Sequence, residues 1–356
     1  MKYLQSHGGN RYQEQEIRFD FSVNTNPLGM PCYLTDVLRQ LPDNSLYEWY
    51  PDSACGALKQ RLAGLHGISE EQVLCGNGAS ELLFAIIRAL HFQKGRPLRC
   101  ILPIPSFGEY ERALIAAKSE ILYHALQSED NYSITESLLK LLKEEKPDLL
   151  ILCSPANPTG SMIAQEIMER ILDICSAMGV TVLLDACFEE LSVKPGYTAA
   201  RALEEGNVII VKAFTKLFAV AGLRLGYCMS RNKALIKVVE EQLPCWNVSG
   251  IAQKAGVTIL DNPQTIDYLS QTRKLLMTER QYLTRKLEEL GLRVLPGSAN
   301  FICFYSKTPL YEALLGRGIL IRDCESFRGL GMGWYRICVA AHAENEILIN
   351  NLQEIL

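Results

Sequence analysis

The chain has 356 residues, 48% hydrophobic and 21% charged, with 36 Lys and Arg against 40 Asp and Glu for a net charge of −4. Well-mixed charge in ordinary globular composition argues against a disordered chain and against a basic footprint for nucleic acid or acidic membrane. No apolar run approaches the ~20 residues of a membrane span, and the polar N-terminus (Lys2, Gln5, Ser6, His7) has no signal-peptide pattern.

Twelve cysteines are scattered without a C-x-x-C pair, mostly in apolar runs, which predicts free thiols and a cytoplasmic protein. Five histidines in no H-x-x-x-H pattern give no metal signature. The length predicts a large core and two domains.

Residues 1–30 are polar and turn-rich, too irregular for a helix, and suit a segment lying across a surface or reaching a neighbouring subunit. Tyr47–Asp52 reads as a loop, with Pro51 holding Tyr50 extended. Gly76-Asn-Gly78-Ala79-Ser80 opens an apolar-periodic helix, Leu82–Phe92. Such a start either grips an anion or is simply a capped helix.

Strands are predicted near Cys100–Pro103, Ile121–His124, Leu149–Cys153, Val180–Leu184, Val208–Val211 and Leu225–Met229. Helices between them include Phe107–Ala117, Ile134–Lys143 and Ala164–Met178. The alternation predicts α/β architecture with a mainly parallel sheet, whose ligands bind beyond the carboxyl ends of the strands. Phe107, Asn157, Asp185 and Lys216 all fall at such ends.

After Arg231 the pattern changes. Helices at Ala234–Gln242, Ser249–Leu260 and Pro263–Leu290 precede strands near Asn300–Tyr305, Ile319–Ile321 and Tyr335–Val339 and a closing helix Glu344–Leu356, which suggests a smaller α+β domain. The glycines of 329–333 precede a strand, not a helix, and read as a turn.

Lys216 lies in a short apolar loop, Phe214–Val220, between Thr215 and Arg224. An apolar setting lowers a lysine pKa and makes the amine nucleophilic enough for a Schiff base. A hydroxyl and a guanidinium suit a phosphate beside it. The trio reads as a pyridoxal 5′-phosphate (PLP) site, or else as a solvated loop lysine with Arg224 paired to a surface carboxylate.

The ordered set Asn24-x-Asn-Pro-x-Gly29, Tyr50-Pro51, Gly76-Asn-Gly78, Pro155-Ala-Asn157-Pro-Thr-Gly160, Asp185, Thr215-Lys216 and Gly222-Leu-Arg224-Leu-Gly226 resembles PLP-dependent enzymes of fold type I, in the class I/II aminotransferase group. The resemblance implies a large PLP-binding domain at 46–245 and a connecting helix with a small C-terminal domain at 246–356. It also implies an N-terminal segment at 1–45 that joins the small domain and a dimer contact. It implies that Lys216 binds PLP and moves protons, and that Asp185 pairs with the pyridinium nitrogen. Asn157 would bond the ring hydroxyl and Phe107 would stack on the ring. Ala79, Ser80, Thr215 and Arg224 would hold the phosphate, with Tyr50 reaching in from the partner of a homodimer. Arg336 would bind the substrate carboxylate.

Two families within the group compete. Histidinol-phosphate aminotransferases share most motifs. L-threonine O-3-phosphate decarboxylases of cobalamin biosynthesis are similar also in His7-Gly-Gly-Asn10, Asp20-Phe-Ser, Phe107, Phe188, Ile321-Arg322-Asp-Cys and Phe327-Arg-Gly-Leu330. That resemblance implies a phosphorylated amino acid substrate bound by His7, Asn24, Asn157, Arg322 and Arg336. The chain departs from both families at Ala186, where a glutamate is usual, and at Ala213, where a hydroxyl is usual.

Overall fold

The computed structural model describes residues 8–9, 16–39, 48–194 and 196–356. It opens with β1 (Phe19–Asp20), α1 (Cys32–Arg39) and α2 (Gly56–His66), none of which the sequence pattern predicts. Strands and helices then alternate: β2 (Val73–Gly76), α3 (Ala79–Lys94), β3 (Arg99–Ile104), α4 (Gly108–Ala116), β4 (Glu120–Ala125), α5 (Glu136–Glu145), β5 (Leu149–Cys153), α6 (Gln165–Met178), β6 (Thr181–Asp185), α7 (Ala199–Ala202), β7 (Val208–Ala213), α8 (Phe214–Leu217) and β8 (Gly226–Met229). Next come α9 (Lys233–Glu240), α10 (Gly250–Asp261), the long α11 (Gln264–Glu289), β9 (Arg293–Val294) and β10 (Phe301–Tyr305). The last elements are α12 (Tyr311–Leu315), β11 (Ile319–Leu320), β12 (Arg322–Asp323), β13 (Trp334–Cys338) and α13 (His342–Ile355).

Strands β2 to β8 form one seven-stranded sheet in the order β2-β8-β7-β6-β5-β3-β4. The pairings from β4 through β7 are parallel, and β8 runs against both its neighbours. Strands covered on both faces are apolar almost throughout, because each successive side chain enters a different core. In β5, Leu149 and Ile151 join the core built on α3, α4 and α9, with Ile86, Leu114 and Val239. Leu150 and Leu152 join the opposite core, with Leu138 of α5 and Ile171 of α6. This double coverage positions the carboxyl ends of β3, β5, β6 and β7 side by side.

A second, antiparallel sheet has the order β12-β13-β10-β9. The N-terminal segment is sewn to it. β1 pairs in parallel with β11, the Phe21 N–H donates to Leu320 O at 2.8 Å, and the Cys338 N–H donates to Phe21 O at 2.8 Å. Along one side runs α11, which buries Leu276, Leu283 and Leu287. Residues 329–333 form a turn ahead of β13. Among the described residues no helix is long and apolar enough to cross a membrane.

One local expectation is corrected. Lys216 lies not in a loop but in the one-turn helix α8, entered directly from β7. Asn26 and α11 hold that turn. The Asn26 N–H donates to Lys216 O at 2.9 Å, Asn26 Nδ2 donates to Leu217 O at 2.8 Å and to Thr272 Oγ1 at 2.7 Å, and the Tyr268 hydroxyl donates to Leu217 O at 3.2 Å. These partners are too distant in sequence for local pattern to reveal.

Candidate active site

A cavity of about 240 Å³ opens at the carboxyl ends of β3, β5, β6 and β7. Asn24, Ala79, Ser80, Phe107, Asn157, Asp185, Thr215, Lys216, Arg224, Arg322 and Arg336 all line it, so segments from across the chain converge there. Tyr50 does not line it: 78% exposed, it stacks on Trp246 at 4.3 Å. His7 lies outside the described residues.

Lys216 is half-buried, and no carboxylate pairs with it among the described residues. Burial, then the positive charges of Arg336 and Arg224, push its pKa down to about 8. Four residues earlier Lys212 behaves oppositely. Its ammonium is buried with Glu189, at 2.6 Å, and Glu190, and these carboxylates hold it charged. Of the two lysines, Lys216 is the one whose amine gives up its proton within reach of physiological pH.

Asp185 ends β6 with both oxygens engaged. Oδ2 accepts the Tyr110 hydroxyl at 2.6 Å, and Oδ1 accepts the Cys187 N–H at 3.0 Å. The carboxylate is therefore fixed at the cavity wall. Burial, then Asp185 itself, raises the Tyr110 pKa well above its ordinary value, so the phenol stays a donor. Sequence reasoning missed Tyr110. Its one signal is a position one helical turn after Phe107, and the two rings meet edge to face at 5.6 Å.

Arg322 and Arg336 are both buried and stand opposite one another on β12 and β13. Opposed residues of an antiparallel pair project from the same face. Arg336 donates through Nη1 to Asn157 Oδ1 and through Nη2 to Ser22 O at 2.9 Å, while Nε has no hydrogen-bond partner among the described residues. Its guanidinium lies 5.4 Å from the Phe301 ring, against which Phe188 packs edge to face at 5.1 Å. Among the described residues it meets no carboxylate, and burial pushes its pKa down to about 10. Arg322 donates to Ser326 Oγ at 2.8 Å and lies 5.2 Å from the Phe327 ring. Two buried guanidiniums on one face concentrate positive charge at this wall of the cavity. Asn24 adds to the same cavity a buried Oδ1 with no hydrogen-bond partner among the described residues.

At the far end, Gly78 turns the chain from β2 into α3 with φ +83°, and a Cβ there would lie 2.7 Å from Arg224 Nη2. Glycine lets the guanidinium lie against the backbone where α3 begins, and a helix N-terminus leaves N–H groups for an anion. Ala79, Ser80, Thr215 and Arg224 thus surround a concave polar corner.

The donor set fits PLP. The corner suits its phosphate, the fixed carboxylate of Asp185 its ring nitrogen, the Lys216 amine its aldehyde, and the Phe107 wall its ring. Asn157 has spent its oxygen on Arg336, which leaves Nδ2 to donate to the ring hydroxyl. The departures from the family pattern are accommodated. Ala186 is buried in the core, and Ala213 borders the cavity beside Thr215. Among the described residues no group of three or more His, Cys, Asp or Glu is placed to hold a metal ion.

The family model "Aminotransferase class I and II" matches residues 16–350. A threonine-phosphate decarboxylase of Salmonella typhimurium is 32% identical, over 99% of this chain and 96% of its own. A histidinol-phosphate aminotransferase of a Thermoanaerobacter species is 31% identical, over 98% and 97%. Among solved structures, the histidinol-phosphate aminotransferase of Clostridium acetobutylicum superposes with TM-score 0.85 at 24% identity, covering 95% of this chain and 98% of that one. The L-threonine-O-3-phosphate decarboxylase of Porphyromonas gingivalis gives 0.80 at 25% identity, covering 94% and 98%.

Proposed function

The chain belongs to the aminotransferase class I and II family, and from that premise we propose that it decarboxylates L-threonine O-3-phosphate to (R)-1-amino-2-propanol O-2-phosphate, releasing CO2. At the coarser level it is a PLP-dependent enzyme, a carboxy-lyase or an aminotransferase, with the fold type I architecture. The observation that carries the finer reading is the pair Arg322 and Arg336, two buried cations on one face of one cavity. They suit a small ligand with two anionic groups, and threonine phosphate has both a carboxylate and a phosphate.

The bound cofactor supplies an electron sink for the carbon that loses its carboxylate. Ala79, Ser80, Thr215 and Arg224 would hold its phosphate, and the Asp185 carboxylate, positioned by the Tyr110 hydroxyl and the Cys187 N–H, would pair with its ring nitrogen. Arg336 takes the substrate carboxylate through a planar fork already oriented by Asn157 and Ser22 O. Arg322 takes the phosphate. Lys216, whose pKa of about 8 lets the amine both hold and release a proton, returns a proton to the carbon that has lost CO2.

The same reading divides the chain at 1–45, 46–245 and 246–356 and makes it a homodimer. An exposed surface of Trp49, Tyr50 and Trp246 supports a second copy there, with Tyr50 serving the neighbour's site. Twelve free thiols support a reducing, cytoplasmic setting.

The alternative is transamination of histidinol phosphate, supported by the relatives of that name at similar identity. Incubation with each substrate separates the two. CO2 released from threonine phosphate without an oxo-acid acceptor supports decarboxylation. Acceptor-dependent glutamate from histidinol phosphate, with no CO2, overturns it. Serine phosphate run alongside measures how the site reads one methyl group, worth ~1–3 kcal/mol.

A further inference from the structure

The cavity that receives anions also has a buried carboxylate in its wall. Glu111, on α4, is 6% exposed and lines the cavity with Arg322 and Arg336. Unpaired, it would repel any anionic substrate. It is instead gripped by Arg328, which lines the same cavity and whose Nη2 donates to Oε1 at 2.7 Å and whose Nε donates to Oε2 at 3.2 Å. The Tyr123 hydroxyl also donates to Oε1 at 2.7 Å, and the Arg328 guanidinium lies 4.6 Å from the Tyr123 ring. A fork-to-fork pair with one partner buried is directional and hard to replace.

Arg328 belongs to the loop from Cys324 to Gly333 between β12 and β13. The loop also carries Ser326 and Phe327, which both pack on Arg322. It lies close against the end of β3: a Cβ at Gly329 would sit 3.2 Å from Pro105 N and 3.3 Å from the Ile104 carbonyl carbon. One ion pair therefore ties the loop that cradles Arg322 to the helix that follows Phe107.

We propose that Glu111 and Arg328 are positioning residues: their ion pair docks the 324–333 loop on α4 and thereby sets Arg322 at the distance that accepts the phosphate of the substrate. The proposal rests on Arg322 as the phosphate-binding residue. Glu111 contributes no contact of its own to the substrate. Its carboxylate is engaged by Arg328 and Tyr123, and its role is to hold the loop.

The test uses the PLP-loaded protein and reads two quantities. The first is hydrogen exchange of residues 324–333. The second is binding of O-phospho-L-threonine and, separately, of L-alanine, followed by the cofactor absorbance. Glu111→Gln should speed exchange in the loop and weaken phosphothreonine about tenfold, while L-alanine, which needs only Arg336, binds as before. The double exchange Glu111→Arg with Arg328→Glu should restore most of both. Tyr123→Phe, a milder change that keeps the ion pair, should move both in the same direction by less, and it serves if Glu111→Gln does not fold. Unchanged loop exchange, unchanged or tighter phosphothreonine binding, or equal weakening of both ligands would overturn the proposal. If the unmodified protein binds neither ligand, the substrate reading fails and with it the phosphate role, while the exchange result still decides whether the pair docks the loop.

Discussion

The Tyr110 hydroxyl donates to Asp185 Oδ2 at 2.6 Å, from α4 to the end of β6, between two residues that are both almost wholly buried. The helix that presents Phe107 to the cavity thus also fixes the carboxylate beside it. Tyr110→Phe removes the donor and leaves the Asp185 charge less satisfied. A hydrogen bond to a charged group is worth ~1.5–3 kcal/mol. PLP should therefore bind at least about tenfold more weakly, read by absorbance titration of the apoprotein. An unchanged dissociation constant would mean that Asp185 is held by the Cys187 N–H alone.

Lys216 carries a second prediction. Its pKa falls from the ordinary lysine range to about 8 on folding. The unfolded chain then binds more protons than the folded one between about pH 8 and the ordinary lysine value near ~10.4, so stability rises with pH across that window. Below pH 8 the penalty for the buried charge is fully present. The apoprotein of Lys216→Met should accordingly be more stable than the parent at pH 7, with the difference shrinking as pH passes 8 towards 10.4 in thermal melts. Lys216→Ala should also lose borohydride-fixed PLP, read by mass spectrometry, and all turnover.

Arg336 separates charge from geometry. Arg336→Lys keeps the cation and gives up the planar fork held by Asn157 and Ser22 O. A loss of about 3 kcal/mol corresponds to roughly a hundredfold lower kcat/KM. PLP affinity should stay within about twofold, since the side chain sits on the substrate side. A variant that loses PLP binding as well would place Arg336 in the cofactor's support.

A fourth prediction lies away from the cavity. His342, at the start of α13, meets the buried carboxylate of Glu279 on α11 at 3.1 Å, and this contact raises its pKa. A raised histidine stabilises fully below its unfolded pKa of ~6.5 and loses that contribution as pH climbs through its folded value. The urea midpoint of His342→Gln should therefore fall below that of the parent at pH 5.5 and converge with it in mildly alkaline buffer. A constant gap would assign the effect to packing against Tyr282, whose ring centre lies 4.9 Å away.

Much of the large sheet was legible because strands such as β5 and β7 enter two cores and so read as unbroken apolar runs bounded by turn residues. β1, β9, β11 and β12 have two residues each, too few for any period to register. α2 carries glycines at Gly56 and Gly64 that blur its pattern. Lys216 read as a loop residue because a one-turn helix has no amphipathic repeat of its own and depends on Asn26 and Tyr268. In the candidate site, residues set by a short motif, such as Thr215-Lys216 and Asn157, stood out. Tyr110 with Asp185 and Glu111 with Arg328 did not, since their partners lie 75 and 217 positions apart.

The Ser22 carbonyl meets Arg336 across a separation of 314 residues, and β1 pairs with β11. A ribosome delivers the whole seven-stranded sheet, with Lys216, Asp185 and the phosphate corner, before it delivers Arg336. A nascent chain at that stage carries the residues proposed to receive the cofactor and lacks the guanidinium proposed to orient a substrate. Its first segment gains its partners in β11 and β13 only near the end of synthesis. On the proposed roles, the residues that select a substrate are thus the last of the site to be synthesised.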